Sequence, residues 1–219
     1  YLTKKLIDRL RGDGFAYLKV DYNDSLPEGS DGPEAPGENL RQHLLGVQAF
    51  FRRLREALPD LILENCSSGG HRLEPGFQGL CSMGSFSDAH ETLSIPILAA
   101  NLHRLILPEQ SQIWCVLHPG ATPQRMRYGL TATFLGRMAL SGNLRSFSPE
   151  QTRILHSALH FLPPCTHILR NGKTRLLREL SPSWNAPRGW QAVWRHTPTE
   201  ALLVLHVFAE PPAEGLTLP

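Results

Sequence analysis

The chain has 219 residues, of which 41% are hydrophobic and 19% are charged, a balance that fits a folded globular protein and excludes a disordered one. The formal net charge is only +2, so the composition predicts neither nucleic acid nor a membrane surface as a partner. No stretch approaches the roughly 20 consecutive apolar residues that a transmembrane helix needs.

The chain begins with a helical pattern followed by a strand pattern. The spacing of leucine and isoleucine over residues 2–10 predicts a helix, which Gly12 and Gly14 end. The apolar run over residues 15–20 predicts a strand. Asp21 is the residue at which this strand ends.

A second strand follows after a loop and a helix. The loop over residues 24–39 is rich in glycine and proline, and loops of this length inside compact domains are often functional. Residues 39–58 predict a helix that ends before Pro59, and residues 61–65 predict the strand. This strand runs into the small, polar and flexible segment 66–70, with the sequence CSSGG.

The pattern continues in the same way up to residue 162. Helical spacing returns over residues 95–107, and residues 112–117 predict another strand. Further helices are predicted from Arg125 onward and over residues 149–162.

The pattern changes after about residue 165, where β-rich segments begin. Residues 190–194 and 202–207 read as antiparallel strands separated by a turn. We therefore predict two domains, residues 1–165 and residues 166–219, the second being the incomplete start of a β-sandwich.

Repeated strand-then-helix units in the first predicted domain indicate a parallel sheet with helices outside it. Polar residues follow the predicted strand ends, which is where the catalytic groups of a (β/α)8 barrel lie. The predicted fold class is therefore α/β, a partial (β/α)8 TIM barrel followed by the beginning of an antiparallel β-sandwich domain. A doubly wound open sheet is the alternative, but no strand is followed by its glycine-rich phosphate-binding fingerprint.

Asp21 is the first candidate catalytic residue, because a strand end holds its carboxylate on rigid backbone. Lys19 lies two residues earlier and is therefore on the same face of the strand. A nearby ammonium keeps a carboxylate ionised, as a nucleophile requires. A turn-capping aspartate or a plain Lys–Asp ion pair explains the same spacing, so these readings stay open.

Asp88 is the second candidate. Burial beside Phe86 would help its carboxyl keep a proton near neutral pH, as general acid catalysis requires. Ser87 and Asp88, with Glu91 three residues on, also resemble a helix capping box.

Segment 66–70 could let a polyhydroxylated ligand approach the backbone closely, or it could be an ordinary turn.

The four cysteines are far apart and form no CxxC pair, so neither a zinc site nor a disulfide scaffold is predicted. Free thiols in a reducing compartment are the default, and we expect a cytoplasmic protein. Tyr1 already lies inside a helical pattern, so we also expect the chain to be a fragment of a longer protein.

Three segments together resemble glycoside hydrolase family 36, the α-galactosidase or melibiase group. Segment 19–23, KVDYN, resembles the strand-end motif Lys-Trp-Asp-x-Asn that carries the nucleophile of this family. The segment from Glu64 to Arg72 is similar to its motif Glu-Asn-Cys-x-Ser-Gly-Gly-Gly-Arg. Segment 87–91, SDAHE, follows its Ser-Asp-x-x-Asp type of acid/base motif, and order and spacing agree over residues 10–145.

The resemblance implies a retaining exo-glycosidase that hydrolyses terminal α-D-galactosyl residues by double displacement, without a metal or an organic cofactor. It implies Asp21 as the nucleophile and Asp88 as the general acid and then base. The residues implied to border the galactose ring are Lys19, Asn23, Cys66, Ser68, Gly69 and Arg72. The implied partner is an α-galactoside oligosaccharide or glycoconjugate, and a homo-oligomer is implied for the full-length protein.

Departures from the family pattern leave the sugar and the leaving group open, because Val20 stands for the usual Trp and His71 for a Gly. The alternatives are an α-N-acetylgalactosaminidase, a galactosyl-transferring relative, or a degenerate barrel that binds carbohydrate without cleaving it. The first barrel strands of the family have no counterpart in these residues. We therefore expect the fragment alone to be inactive.

Overall fold

The computed structural model of the protein describes residues 1–21 and 32–210. The chain forms two compact units, Tyr1–Ser87 and a second one that begins at Asp88. The elements of the first unit are α1 (Leu2–Gly12), β1 (Tyr17–Asp21), α2 (Glu38–Ala57), β2 (Ile62–Cys66), the short helix α3 (Pro75–Gln78) and β3 (Met83–Ser85).

Strands β1, β2 and β3 lie side by side and run parallel. The register of the first pair places Lys19 opposite Glu64 and Asp21 opposite Cys66. The carboxyl ends of parallel strands lie at the same edge of a sheet. The last residues of β1 and β2 are therefore neighbours at that edge.

The core of the first unit lies between these strands and the two long helices. Phe51 and Leu54 of α2 are fully buried and pack with Leu63 of β2, while Leu18 and Val20 of β1 pack against the same cluster. Successive side chains of a strand alternate between its faces. The odd-numbered residues of β1 and the even-numbered residues of β2 therefore share the opposite face.

The second unit combines parallel strands with an antiparallel sheet. Its elements are α4 (Ile95–Leu102), β4 (Ser111–Leu117), α5 (Pro123–Thr133), β5 (Arg137–Gly142), α6 (Pro149–Asn171), β6 (Lys173–Ser181), β7 (Arg188–His196) and β8 (Ala201–Val207). Strands β4 and β5 are parallel, whereas β6, β7 and β8 form an antiparallel sheet in that order. The predicted α/β class with a separate antiparallel sheet is confirmed.

Helices α5 and α6 cover one face of β4. Cys115 and Leu117 of this strand pack with Met126 and Leu130 of α5 and with Ile154 of α6. The side chains at alternate positions of β4 supply this contact, as expected of a strand that buries one face against helices.

Helix α6 continues through Pro163 and Pro164, well past its predicted end, to Asn171. A proline has no N–H and leaves the carbonyl four residues earlier without its helical donor. Those carbonyls belong to Leu159 and His160, both of which are exposed, so water can replace the missing donors.

Strand β6 was not predicted from the sequence. Its residues do not alternate strictly between apolar and polar, and the strand is defined by antiparallel pairing with β7 from Lys173–His196 to Ser181–Arg188. Tertiary pairing outweighs a weak local pattern here. The predicted domain boundary after residue 165 lies inside α6 and stays a prediction.

All four cysteines are free thiols. Burial raises the pKa of Cys81 to about 12 and that of Cys115 to about 11, so both thiols stay protonated near neutral pH.

None of the helices within residues 1–21 and 32–210 combines the length and the apolar character that a membrane crossing requires.

His206 of β8 is a buried histidine in the second unit. Only 3% of its surface is exposed, and its ring meets that of Tyr128 of α5 edge-on, with the ring centroids 5.2 Å apart. Burial lowers the pKa of His206 from 6.5 to about 4. Between these two values the unfolded chain binds a proton that the folded chain does not, so stability falls as the pH falls from 6.5 towards 4.

We predict that His206→Leu weakens this acid-induced loss of stability, which is on the order of 3 kcal/mol for such a shift in a buried group. The measurement is the drop in Tm of the full-length protein between about pH 7.5 and about pH 4.5. His160→Leu, at an exposed position of α6, is the matched control and should retain the wild-type drop. A drop of wild-type size in His206→Leu would contradict the prediction.

Candidate functional site

The candidate site lies at the carboxyl ends of β1 and β2, on the face opposite the helices of the first unit. Nζ of Lys19 lies 3.6 Å from Oδ2 of Asp21, so the two side chains meet as their spacing in the sequence predicted. The same Nζ also lies 3.6 Å from Oε1 of Glu64. One ammonium is therefore shared between two carboxylates on neighbouring strands.

Glu64 is the member of this group that the sequence analysis did not select. Only 1% of its surface is exposed, and its Oε2 accepts a hydrogen bond from the hydroxyl of Tyr17. Within the described part of the chain its Oε1 has no hydrogen-bond partner and faces only the ion pair with Lys19. The signal that could have found it is an acid inside the apolar run of β2, where an unpaired charge is costly.

The charges around Lys19 outweigh its burial. Burial by itself lowers the pKa of Lys19, but the neighbouring groups of Cys66, Glu64 and Asp21 raise it above its ordinary value. Lys19 is therefore a cation at neutral pH. Burial of Tyr17 and its hydrogen bond to Glu64 raise the pKa of the phenol, so Tyr17 keeps its proton and donates a hydrogen bond to the carboxylate.

Cys66 contributes a thiol beside Asp21. Burial raises the pKa of Cys66, while the backbone N–H of Gly69 and the charge of Lys19 oppose this shift. The thiol is therefore protonated at neutral pH, and its residue is paired with Asp21 across the two strands. It acts as a polar neighbour of the carboxylate rather than as a thiolate nucleophile.

The loop after β2 is shaped by two consecutive residues with positive φ, Ser68 at 43° and Gly69 at 80°. Gly69 forms a β-bridge with Ser87, the second residue after β3. A Cβ on Gly69 would lie 2.2 Å from the backbone nitrogen of Ser87, so only glycine fits. The loop thereby fixes the backbone one residue before Asp88.

The buried side chain of Arg72 stabilises the same loop by hydrogen bonds. Only 8% of its surface is exposed, its Nη2 donates to the carbonyl of Cys66, and its Nε lies 3.5 Å from Oδ1 of Asn65. Nδ2 of Asn65 donates in turn to the carbonyl of Arg72 at 2.7 Å. These contacts hold the loop closed, and the predicted contact of Arg72 with a sugar stays a prediction.

Asp88 is the first residue of the second unit, and its side chain is exposed. The expected burial of its carboxyl group beside Phe86 is therefore wrong. The capping-box reading is wrong, because the next helix, α4, begins seven residues later at Ile95 and has Ser94 at its N-cap. Asp88 therefore has no helix to cap. This outcome leaves its carboxylate available for chemistry.

The segment that follows Asp88 is tied to the connection between β4 and α5. Oε1 of Glu91 lies 2.6 Å from Nε2 of His118, and Arg125 of α5 donates to the carbonyl of Glu91. The ring of His90 lies against Trp114 of β4, with centroids 5.1 Å apart. These contacts position the backbone on the carboxyl side of the candidate acid.

The structure brings some of the predicted site residues together. Lys19, Asp21 and Cys66 are in contact, and Ser68 and Gly69 lie in the loop that begins at Cys66. Asn23 lies outside the described residues. Asp88 belongs to the second unit, and its separation from Asp21 stays a prediction.

Comparison of the sequence with known protein families shows to which family the chain belongs. The sequence model of the Melibiase family matches residues 1–154. The chain belongs to the Melibiase family. It is 27% identical over 167 residues to alpha-galactosidase 2 of Pediococcus pentosaceus and 29% identical over 120 residues to alpha-galactosidase 1 of the same organism. These matches cover 73% and 50% of this chain but only 23% and 16% of the relatives.

Solved structures show the same fold. The GH36 alpha-galactosidase AgaA of Geobacillus stearothermophilus superimposes with a TM-score of 0.80 over 99% of this Melibiase chain, at 18% identity. An alpha-galactosidase of Lactobacillus brevis gives a TM-score of 0.70 over 91% of the chain. The chain spans 30% of each of these structures. The fold is therefore that of part of the GH36 alpha-galactosidases.

We predict that Gly69→Ala lowers kcat/KM of the full-length protein at least about tenfold, because the new methyl group must displace the backbone next to Asp88. The matched control is Gly12→Ala at the end of α1, where an added Cβ meets nothing within 4 Å. Steady-state kinetics on a nitrophenyl galactoside compare the two variants. Equal activity of Gly69→Ala and Gly12→Ala would contradict this role of the loop.

Proposed function

We propose that the full-length protein containing this chain is an exo-acting α-galactosidase that hydrolyses terminal α-D-galactosyl residues with retention of anomeric configuration. The observation that supports this most directly is the environment of Asp21 in a Melibiase chain. Its carboxylate lies at a strand end, beside the ammonium of Lys19 and the protonated thiol of Cys66. This environment suits an ionised oxygen nucleophile.

The proposed reaction has two displacements. The carboxylate of Asp21 attacks the anomeric carbon, while Asp88 protonates the departing glycosidic oxygen, which leaves a galactosyl ester on Asp21. Asp88, now a carboxylate, accepts a proton from water, and that water cleaves the ester and releases galactose. This sequence requires the two carboxyl groups to lie about 5–5.5 Å apart across the sugar.

The proposed substrates are oligosaccharides with a terminal α-galactosyl unit. Variants of the AgaA enzyme have been solved in complex with raffinose, with stachyose and with 1-deoxygalactonojirimycin. The shared fold and family support the same substrate class for this protein. Raffinose and a panel of nitrophenyl glycosides, including the N-acetylgalactosaminide, test this choice of sugar.

The nucleophile assignment predicts that Asp21→Ala abolishes turnover of raffinose by the full-length protein. Azide should then restore cleavage of an activated α-galactoside and yield the β-galactosyl azide, because a small anion fills the space of the lost carboxylate and attacks directly. The control is Asp60→Ala, an exposed aspartate between α2 and β2, which should keep wild-type rates. Wild-type turnover by Asp21→Ala would exclude the assignment.

The acid/base assignment predicts a dependence on the leaving group in Asp88→Ala. A galactoside with a good leaving group needs no proton, so its first displacement should be nearly unaffected, whereas hydrolysis of raffinose should fall about 100-fold or more. Pre-steady-state bursts and steady-state rates on the two substrates separate these effects. Equal losses of the first step on both substrates would show that Asp88 is not the proton donor.

A further inference from the structure

Glu64 is a buried acid that has no role in the proposed two-carboxylate mechanism. The strand register sets it directly opposite Lys19, two pairs before Asp21 and Cys66. Only 1% of its surface is exposed, and within residues 1–21 and 32–210 its carboxyl group has two polar neighbours, the hydroxyl of Tyr17 and the ammonium of Lys19. A buried carboxylate is costly unless such partners compensate it.

We propose that Glu64 is a positioning residue that holds the ammonium of Lys19 midway between itself and Asp21, so that Asp21 keeps a loosely paired and reactive carboxylate. The equal distances of 3.6 Å from Nζ to the two carboxylates carry this inference. A charge-assisted N–H···O contact is normally about 2.7–2.9 Å. The ammonium is therefore withheld from full contact with Asp21. The role rests on the proposed function of Asp21 as nucleophile.

The change in charge during the reaction explains why two acids should share one lysine. When Asp21 forms the galactosyl ester, its negative charge disappears, and Lys19 loses that counter-ion. Glu64 still faces Lys19 in the ester state and continues to serve as its counter-ion. Without Glu64, Lys19 would pair closely with the free carboxylate of Asp21 and would oppose the loss of its charge.

Tyr17 fixes the other end of this arrangement. Its hydroxyl donates to Oε2 of Glu64, which leaves Oε1 directed at Lys19. Tyr17, Lys19 and Asp21 are alternate residues of β1 and therefore share its face. The series of polar contacts thus runs from Tyr17 through Glu64 and Lys19 to Asp21, along one face of two paired strands, and ends at the proposed nucleophile.

The kinetic test uses Glu64→Gln in the full-length protein, because glutamine keeps the size of the side chain and removes its charge. Formation of the ester should slow, so kcat/KM for raffinose is expected to fall about tenfold or more. For a galactoside with a good leaving group, kcat reports hydrolysis of the ester and should stay within about twofold or rise. The matched control is Glu56→Gln, an exposed acid on α2, which should change neither constant.

A second background tests whether Glu64 acts through the lysine. In Lys19→Met there is no ammonium for Glu64 to position, so replacing Glu64 by glutamine should change kcat/KM less than about twofold. Tyr17→Phe should give a smaller loss than Glu64→Gln in the same direction. It removes a single hydroxyl group from a residue that is 43% exposed, so it serves as the second variant if Glu64→Gln fails to fold. A loss that is equal on both substrates and persists fully in Lys19→Met would overturn the positioning role.

Crystal structures of the full-length wild type and of Glu64→Gln decide the inference independently of turnover. We expect Nζ of Lys19 to move from 3.6 Å into direct contact with Asp21, at about 2.8 Å, when the competing carboxylate is removed. An ammonium that does not move overturns the inference. If the wild type cleaves no galactoside, the proposed function is wrong, and the displacement of Lys19 still shows whether Glu64 positions it.

Discussion

The parallel register of β1 on β2 is the constraint on which the candidate site depends. It sets Lys19 opposite Glu64 and Asp21 opposite Cys66, all on the face that turns away from the helices. A shift of one residue would turn every side chain of β1 to the other face. The packing of the partly buried Leu18 against the helix cluster therefore also specifies where the polar groups lie.

This constraint links the stability of the first unit to its chemistry. Fixing the apolar side of β1 places a cation, two carboxylates and a protonated thiol within one small region on the other side. The loop after β2 extends the arrangement to the end of β3, because Gly69 contacts the backbone at Ser87 so closely that no side chain fits.

The local apolar pattern of the sequence predicted α1, α2, β2 and β4 closely, through helical spacing in the two helices and short apolar runs in the two strands. It failed for β6, whose strand state depends on pairing with β7, and for the end of α6, where prolines are tolerated because exposed carbonyls can reach water. The contact between Lys19 and Asp21 could be predicted, because residues two positions apart share one face of a strand. The contact between Lys19 and Glu64 could not, because only the register between the strands places these two residues opposite each other.

Covalent trapping tests the central claim, that Asp21 is the residue on which this site acts, most directly. The full-length protein is incubated with 5-fluoro-α-galactosyl fluoride, whose second fluorine slows hydrolysis of a galactosyl ester, and the digested protein is analysed by mass spectrometry. The account predicts a single fluorogalactosyl label on Asp21, in the peptide that contains Lys19 or begins immediately after it. A label on another carboxylate of a protein that turns over galactosides would contradict it.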